Sequence, residues 1–490
     1  ITQGTLHTNA SSNHALTVAG TLEVDGTDAV LTCNASALTI GQADVDSGYG
    51  LYNTGGTVNG GTGNWTVSQM KHHSGTTTLT TGTITMNGKH PSSGAVLEKT
   101  NTGTFTHPTN GIIDITGEDG YIGISGTNMT LYELRINSGS THKIIASATG
   151  NTLTCTTLTI TNGGLNTAHA SFESSTLTVT GQVDITGTLT CNASAVSIGS
   201  LKCQASSTLN ATSGTTTITS ENSSGQAIVM NNSMTFNNND GTFLITTPAA
   251  TNIYFKSANA LHHLTINHSS ADIVLAGNPD DLKCEGDLTI TAGTLQSTTS
   301  GATLEVDGDA SVTGTLNWSG TSGGAVELGS LTINSGGTYS ATSGTTTITS
   351  DDDGSEGRCF YVHTNGTFTH NKGTIDCTSG SYPEVEVVGQ SVTKNPFYNI
   401  KSTASRMAWK STTNTILNNC TIAGCAFNSA DGYVNCLGIL ENTANTYNAS
   451  GSTNSNHFAE HFLLSGGTLD LSNINITVGS IRNTGGTITG

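Results

Sequence analysis

A long internal repeat limits what this chain can become. The string SGTTTITS at 213–220 returns unchanged at 343–350, and SGTTTLTT at 74–81 reads as a further copy. Behind each copy comes a second marker: TFTHPTNGII from Thr104, TFNNNDGTFL from Thr235 and TFTHNKGTID from Thr367. A third marker follows as LYELRIN from Leu131, LHHLTIN from Leu261 and FYNIKS from Phe397. TLTITNGGL (157–165) is matched by DLTITAGTL (287–295), and LTCNASALTIG (31–41) by LTCNASAVSIG (189–199). The period of roughly 130 residues divides the chain into a partial repeat at 1–73, repeats at 74–212, 213–342 and 343–440, and a less regular stretch at 441–490.

Within each repeat, apolar and polar residues alternate in short runs. In TLEVDG (21–26) Leu22 and Val24 point one way, Glu23 and Asp25 the other. Alternation with period two, broken by Gly, Asn and Ser, is the signature of strands, and a helical period is nearly absent. Charged residues are only 10% of the chain. Abundant Thr, Val and Ile at such low charge indicate ordered β-structure rather than disorder. The repeats have no Pro-rich or charged linker between them, and there are only 3 Trp to seed separate cores. Short strands that cannot bury a face alone must stack on their neighbours. The expected fold is therefore an all-β, elongated parallel β-solenoid, with roughly 24 coils of about 20 residues under the longer period. Tandem β-sandwich domains are the alternative.

The charge balance narrows function. Fifteen Lys and Arg face 34 Asp and Glu, a formal net charge of −19. Nucleic acid requires clustered cations, and none occur. Neither an apolar run of membrane-spanning length nor a basic amphipathic helix is present, so no membrane insertion is expected. The closing RNTGGTITG keeps the strand-turn texture, which suggests open coil ends that pair with further copies or other structural proteins.

Of the ten Cys, Cys155, Cys284 and Cys420 recur at close to the long period, as if at matching places in three repeats. Cys33 matches Cys191, and Trp318 takes the same slot later, so the slot faces inward. Cys191 with Cys203, Cys359 with Cys377, and Cys425 with Cys436 are separated by about one coil. Buried thiols and disulfides between adjacent coils are both open readings. No CxxC supports zinc. The fifteen His, including the pairs His72–His73 and His262–His263, read as hydrogen-bonded surface or turn residues, with metal ligation as the alternative. His107 and His370 recur within the TFTH marker. The acidic loop Asp351, Asp352, Asp353, Glu356 is read as a solvated turn, with loose Ca²⁺ binding as the alternative; otherwise no cofactor is expected.

Glycoside hydrolysis or elimination needs paired carboxylates, or a base with a cation. Arg358 beside Asp351–Asp353 is the one plausible cluster, and no enzymatic activity is expected. TFTHNKGTID, LHHLTIN, DLTITAGTL and SGTTTITS resemble the Thr/Gly/Asn-rich β-solenoid repeats of marine phage structural fibres and bacterial surface adhesins. The resemblance runs through nearly the whole chain except about the last 90 residues. It implies a non-enzymatic, extracellular structural or adhesive fibre, as a virion appendage or decoration. A cell-surface filament or adhesin, and a carbohydrate-binding or depolymerising β-helix that contacts surface glycans, are the alternatives.

Overall fold

The computed structural model describes residues 1–490 except 9–10, 42–47, 101–102, 147–150, 168–174, 256–258, 277–280, 298, 321–323, 352–356, 379–383, 389–394, 404–406, 410–412, 424, 428–432, 448–454 and 473. Among the described residues there are strands and no helix. The strands pair in parallel with the turn before and the turn after, as a β-solenoid of about 18 turns. Sandwich domains, which are built from antiparallel sheets, are thereby excluded.

The chain forms two compact units, Ile1–Phe243 and Leu244–Gly490. In the first, one inward column runs Leu22, Leu51, Met70, Leu97, Ile122, Ile144. In the second, a column runs Leu264, Leu288, Ala310, Leu331, Phe360, Val385, Trp409. The spacing is uneven: the step from Leu22 to Leu51 is half as long again as the step from Leu51 to Met70. Turns are thus longer on average, and fewer, than the expected coils of about 20. The strand segments stay short while the corner loops vary.

A turn carries three strand segments. Val196–Cys203 bends at Gly199 into two segments, and Thr208–Asn210 supplies the third. Ile198, Leu201 and Leu209 from these segments are buried. The bend needs glycine, because a Cβ on Gly199 would lie 2.4 Å from the Gly181 carbonyl oxygen. Gly329 is equally hemmed in, 2.3 Å from the Gly308 oxygen. At other corners Asn adopts positive φ, as in Asn34 (50°), Asn239 (50°) and Asn371 (45°). The side-chain amides of these three donate to Thr8 O, Ala211 O and Ala341 O in the preceding turn. Asn tolerates this backbone region while satisfying a carbonyl that the corner would otherwise strand.

Outward positions form polar ladders. Asn210 Nδ2 donates to Thr190 Oγ1 at 2.9 Å, and Asn192 Nδ2 to Asn166 Oδ1 at 2.7 Å. Opposite charges face each other across several pairs of turns, as in Asp184–Lys202 (3.6 Å) and Asp376–Lys401 (2.9 Å), although Glu305 stands opposite Glu327. Like charges directly opposite each other would repel.

The geometry revises two alignments read from sequence. Thr80, the seventh residue of SGTTTLTT, repeats the role of Thr212 and Thr342, which stand just before each SGTTTITS: each hydroxyl accepts from the backbone N–H two residues on. The strand equivalent to Thr215–Ile218 and Thr345–Ile348 is therefore Thr83–Met86. Likewise Leu131 pairs Cys155 and Leu261 bridges Cys284, but Phe397 bridges Ile416. Cys420 pairs Ile400, the place of Leu158 opposite Leu134. It therefore does not match Cys155 and Cys284. The slot shared by Cys33, Cys191 and Trp318 holds: each backbone N–H donates to the next turn, at Asn59 O, Asn210 O and Ser340 O.

In the second unit the interior carries an aromatic cluster. Phe360 lies 5.2 Å from Phe368 and 5.4 Å from Phe397, which lies 6.2 Å from Trp409. Phe360 is fully buried, so Phe360→Ala opens a cavity and should cost about 3–5 kcal/mol. Denaturant unfolding followed by circular dichroism measures this; a loss under about 1 kcal/mol would contradict the packing.

Candidate functional site

The described cysteines lie in the interior, and four of the histidines bind backbone N–H groups. Cys33, Cys155, Cys191, Cys203, Cys284, Cys359, Cys377, Cys420 and Cys436 are buried free thiols. Cys359 and Cys377 approach to 3.5 Å between sulfurs, as a hydrogen-bonded pair within one turn rather than a bond between stacked turns. Cys436 Sγ donates to Asn418 O. The side chain of Cys425 lies outside the described residues. Burial pushes the thiols of Cys33, Cys155, Cys191 and Cys284 up to about 12, so almost no thiolate exists at neutral pH.

Four histidines share one device. Nδ1 of His90, His107, His263 and His370 accepts a backbone N–H, from Ser93, Tyr132, Asp287 and Lys372. An imidazole accepts only when that nitrogen is unprotonated. Burial drives His107 down to about 4 and lowers His90 and His370 as well. Among the described residues no group of three His, Cys, Asp or Glu is placed to hold a metal. Of the acidic loop only Asp351 is described; Asp352, Asp353 and Glu356 lie outside the described residues.

Chemistry of another kind gathers on one outer face of the first unit. Glu23, Tyr52, Lys71, Glu98 and Gly123 stack in successive turns. Lys71 Nζ lies 3.3 Å from Glu98 Oε1, 5.0 Å from the Tyr49 ring centroid and 5.9 Å from that of Tyr52. Tyr49 is 6% exposed, lies 4.3 Å from the His90 ring, and its hydroxyl donates to Glu98 Oε2. Burial, then the Glu98 hydrogen bond, raises the Tyr49 pKa, which makes that phenol a poor acid. Tyr121 begins the next strand, and at Gly123 a Cβ would lie 2.9 Å from Tyr121 Cε2 and 3.0 Å from Glu98 Cγ. Glycine at 123 thus leaves the slot in which the Tyr121 ring lies along the face.

Beside this ring is a recess of about 140 Å³ lined by Lys89, Gly94, Asp119, Gly120, Tyr121, Thr141 and Lys143. Lys89 Nζ bonds Asp119 Oδ1 at 2.7 Å on its rim. The corresponding strand in the second unit carries Arg358, with its guanidinium 2.8 Å from Glu386 and 4.3 Å from the Tyr361 ring centroid. Arg358 stands out in the sequence for its neighbouring aspartates, but its described ion-pair partner comes from the following turn. The tyrosine face was not legible from sequence: positions 49, 52, 71, 98 and 121 meet only because turns of unequal length are stacked in register.

Comparison with family models, with curated proteins and with solved structures finds no match.

Two outcomes are expected. Alkylation with iodoacetamide at mildly alkaline pH should leave the nine described thiols unmodified until denaturant is added; rapid native labelling of Cys155 or Cys284 would contradict their burial. His107 has its folded pKa below the unfolded value near 6.5, so its stabilising contribution is complete above that pH and is lost as pH falls toward about 4. The unfolding free energy should therefore fall between pH 7 and pH 5, by at most about 1.4 kcal/mol per pH unit for this group, and the melting temperature should fall with it. The His107→Gln variant should show a flatter profile.

Proposed function

We propose that this chain is a non-enzymatic structural and adhesive fibre protein, displayed outside the cell as part of a virion appendage or decoration. The observation that carries the reading is the turn-on-turn pairing of like residues: Thr188 with Thr208, Leu189 with Leu209, Thr315 with Thr338, Ile290 with Val312. Each turn serves as the template for the next, so the same backbone hydrogen bonds both fold the chain and stiffen it. Outer ladders of Thr and Asn, and ion pairs that neutralise each other across turns, fit a surface built to persist in solvent. Such a protein needs no reactive centre. Its natural partners are further fibre subunits and the surface that the fibre touches. The resemblance to Thr/Gly/Asn-rich fibre and adhesin repeats supports the same reading.

Negative-stain microscopy of the purified chain tests it. Narrow, elongated particles or end-to-end polymers, resistant to prolonged trypsin treatment, are expected; compact particles that trypsin degrades rapidly would overturn it.

A further inference from the structure

The recess beside Tyr121 has features that the scaffold does not require. The strand paired with it carries a bulge between Ala95 and Leu97, and the bulge between Arg358 and Phe360 marks the corresponding place in the other unit. In matched register, Ala95–Tyr121–Lys143 corresponds to Arg358–Glu384–Ala408. The fold therefore accepts a carboxylate where Tyr121 stands and a methyl group where Lys143 stands. Neither the aromatic ring nor the ammonium is demanded by the stacking of turns. Gly123 in turn clears the space that the ring occupies.

What the recess can hold follows from its size and lining. About 140 Å³ is below the roughly 300–1,000 Å³ of pockets that engulf drug-sized ligands. It suits a single small ring, open to solvent so that a longer chain can continue outward. Its one aromatic lining residue is Tyr121, and a tyrosine ring can pack against the C–H face of a saturated ring and leave that ring's hydroxyls at its edges. Asp119 and Thr141 present oxygens for those hydroxyls. Lys89 is already bonded to Asp119, and Glu118 lies 3.8 Å from the same ammonium. Lys143 is exposed and makes no described ion pair within 4 Å; Asp119 feels its charge but is bonded to Lys89, so Lys143 is the cation with most capacity left for a ligand. The net charge of −19 does not forbid an anion here, because charges beyond about 8 Å are largely screened at physiological salt.

We infer that the Tyr121 recess binds one carboxylate-bearing sugar residue of a surface polysaccharide, with the ring on Tyr121 and the carboxylate on Lys143. This names the ligand of the adhesive surface proposed above and rests on that reading. The two fail separately, because microscopy reports on the fibre and ligand binding reports on the recess.

Saturation-transfer NMR with methyl β-D-glucuronide and, as its neutral counterpart, methyl β-D-glucoside is the test. Transfer to the C–H protons of the glucuronide is expected, weaker for the glucoside and weaker at high salt. Tyr121→Ala should abolish it and Tyr121→Phe should keep it, since stacking needs the ring and not the hydroxyl. Lys143→Gln should weaken glucuronide binding up to about fivefold, the scale of an exposed ion pair, and leave the glucoside unchanged. Melting curves matching the parent protein establish that each variant is folded. No transfer to the glucuronide, or equal transfer in Tyr121→Ala, overturns the site; equal transfer to both sugars overturns the role of Lys143.

Discussion

Everything in this molecule depends on the parallel ladder of backbone hydrogen bonds that joins one turn to the next. No turn can fold alone, because a strand of three or four residues has nothing to pair with and one face to hide. The preceding turn supplies both partners at once. Its carbonyls take some of the N–H groups and its own N–H groups reach forward to carbonyls of the next turn, while its Leu, Ile or Val covers the matching residue overhead. This explains why the sequence tolerates so little charge and so much Thr. A β-branched hydroxyl fits the pleat, and in a column it faces another of its kind without repulsion. It also explains why several of the charges that do occur are paired across turns, Lys283 with Glu305 as well as Lys202 with Asp184.

The corners obey a different rule. There the chain must turn through positive φ or pass within contact distance of the turn below, and the residue is chosen for its backbone. Gly199 and Gly329 have no room for a Cβ. Asn34, Asn239 and Asn371 take the left-handed conformation and return an amide to the neighbouring carbonyl. The histidines follow the same logic, since a neutral ring nitrogen receives an N–H that the strand ladder has left over.

The strands, their parallel stacking and the inward cysteine slot were legible in the sequence because they depend on local alternation and on residue size. Phase was not. SGTTTLTT looks like SGTTTITS, yet the hydroxyl that caps the corner belongs to Thr80. A spacing close to the long repeat points to Cys420 for the place where the ladder puts Ile416. In a chain so rich in Thr and Gly, similar strings arise in more than one frame, and only cross-turn pairing separates them. The tyrosine face escaped for a related reason. Tyr52, Lys71 and Glu98 come from three separate turns, and the interval from Tyr52 to Lys71 is shorter than that from Lys71 to Glu98. Nothing in either interval announces that they share a column.

Unequal corner length has a consequence for engineering. Between Met86 and Ala95, Ile218 and Gln226, and Ile348 and Arg358, the equivalent connection differs in length, while the strands on either side keep their pairing. A site that has already absorbed length changes without disturbing its flanks is a natural place to graft an epitope or an enzyme tag. Because the closure entropy of a loop grows only slowly with its length, a displayed segment there would hang from the scaffold at little thermodynamic cost.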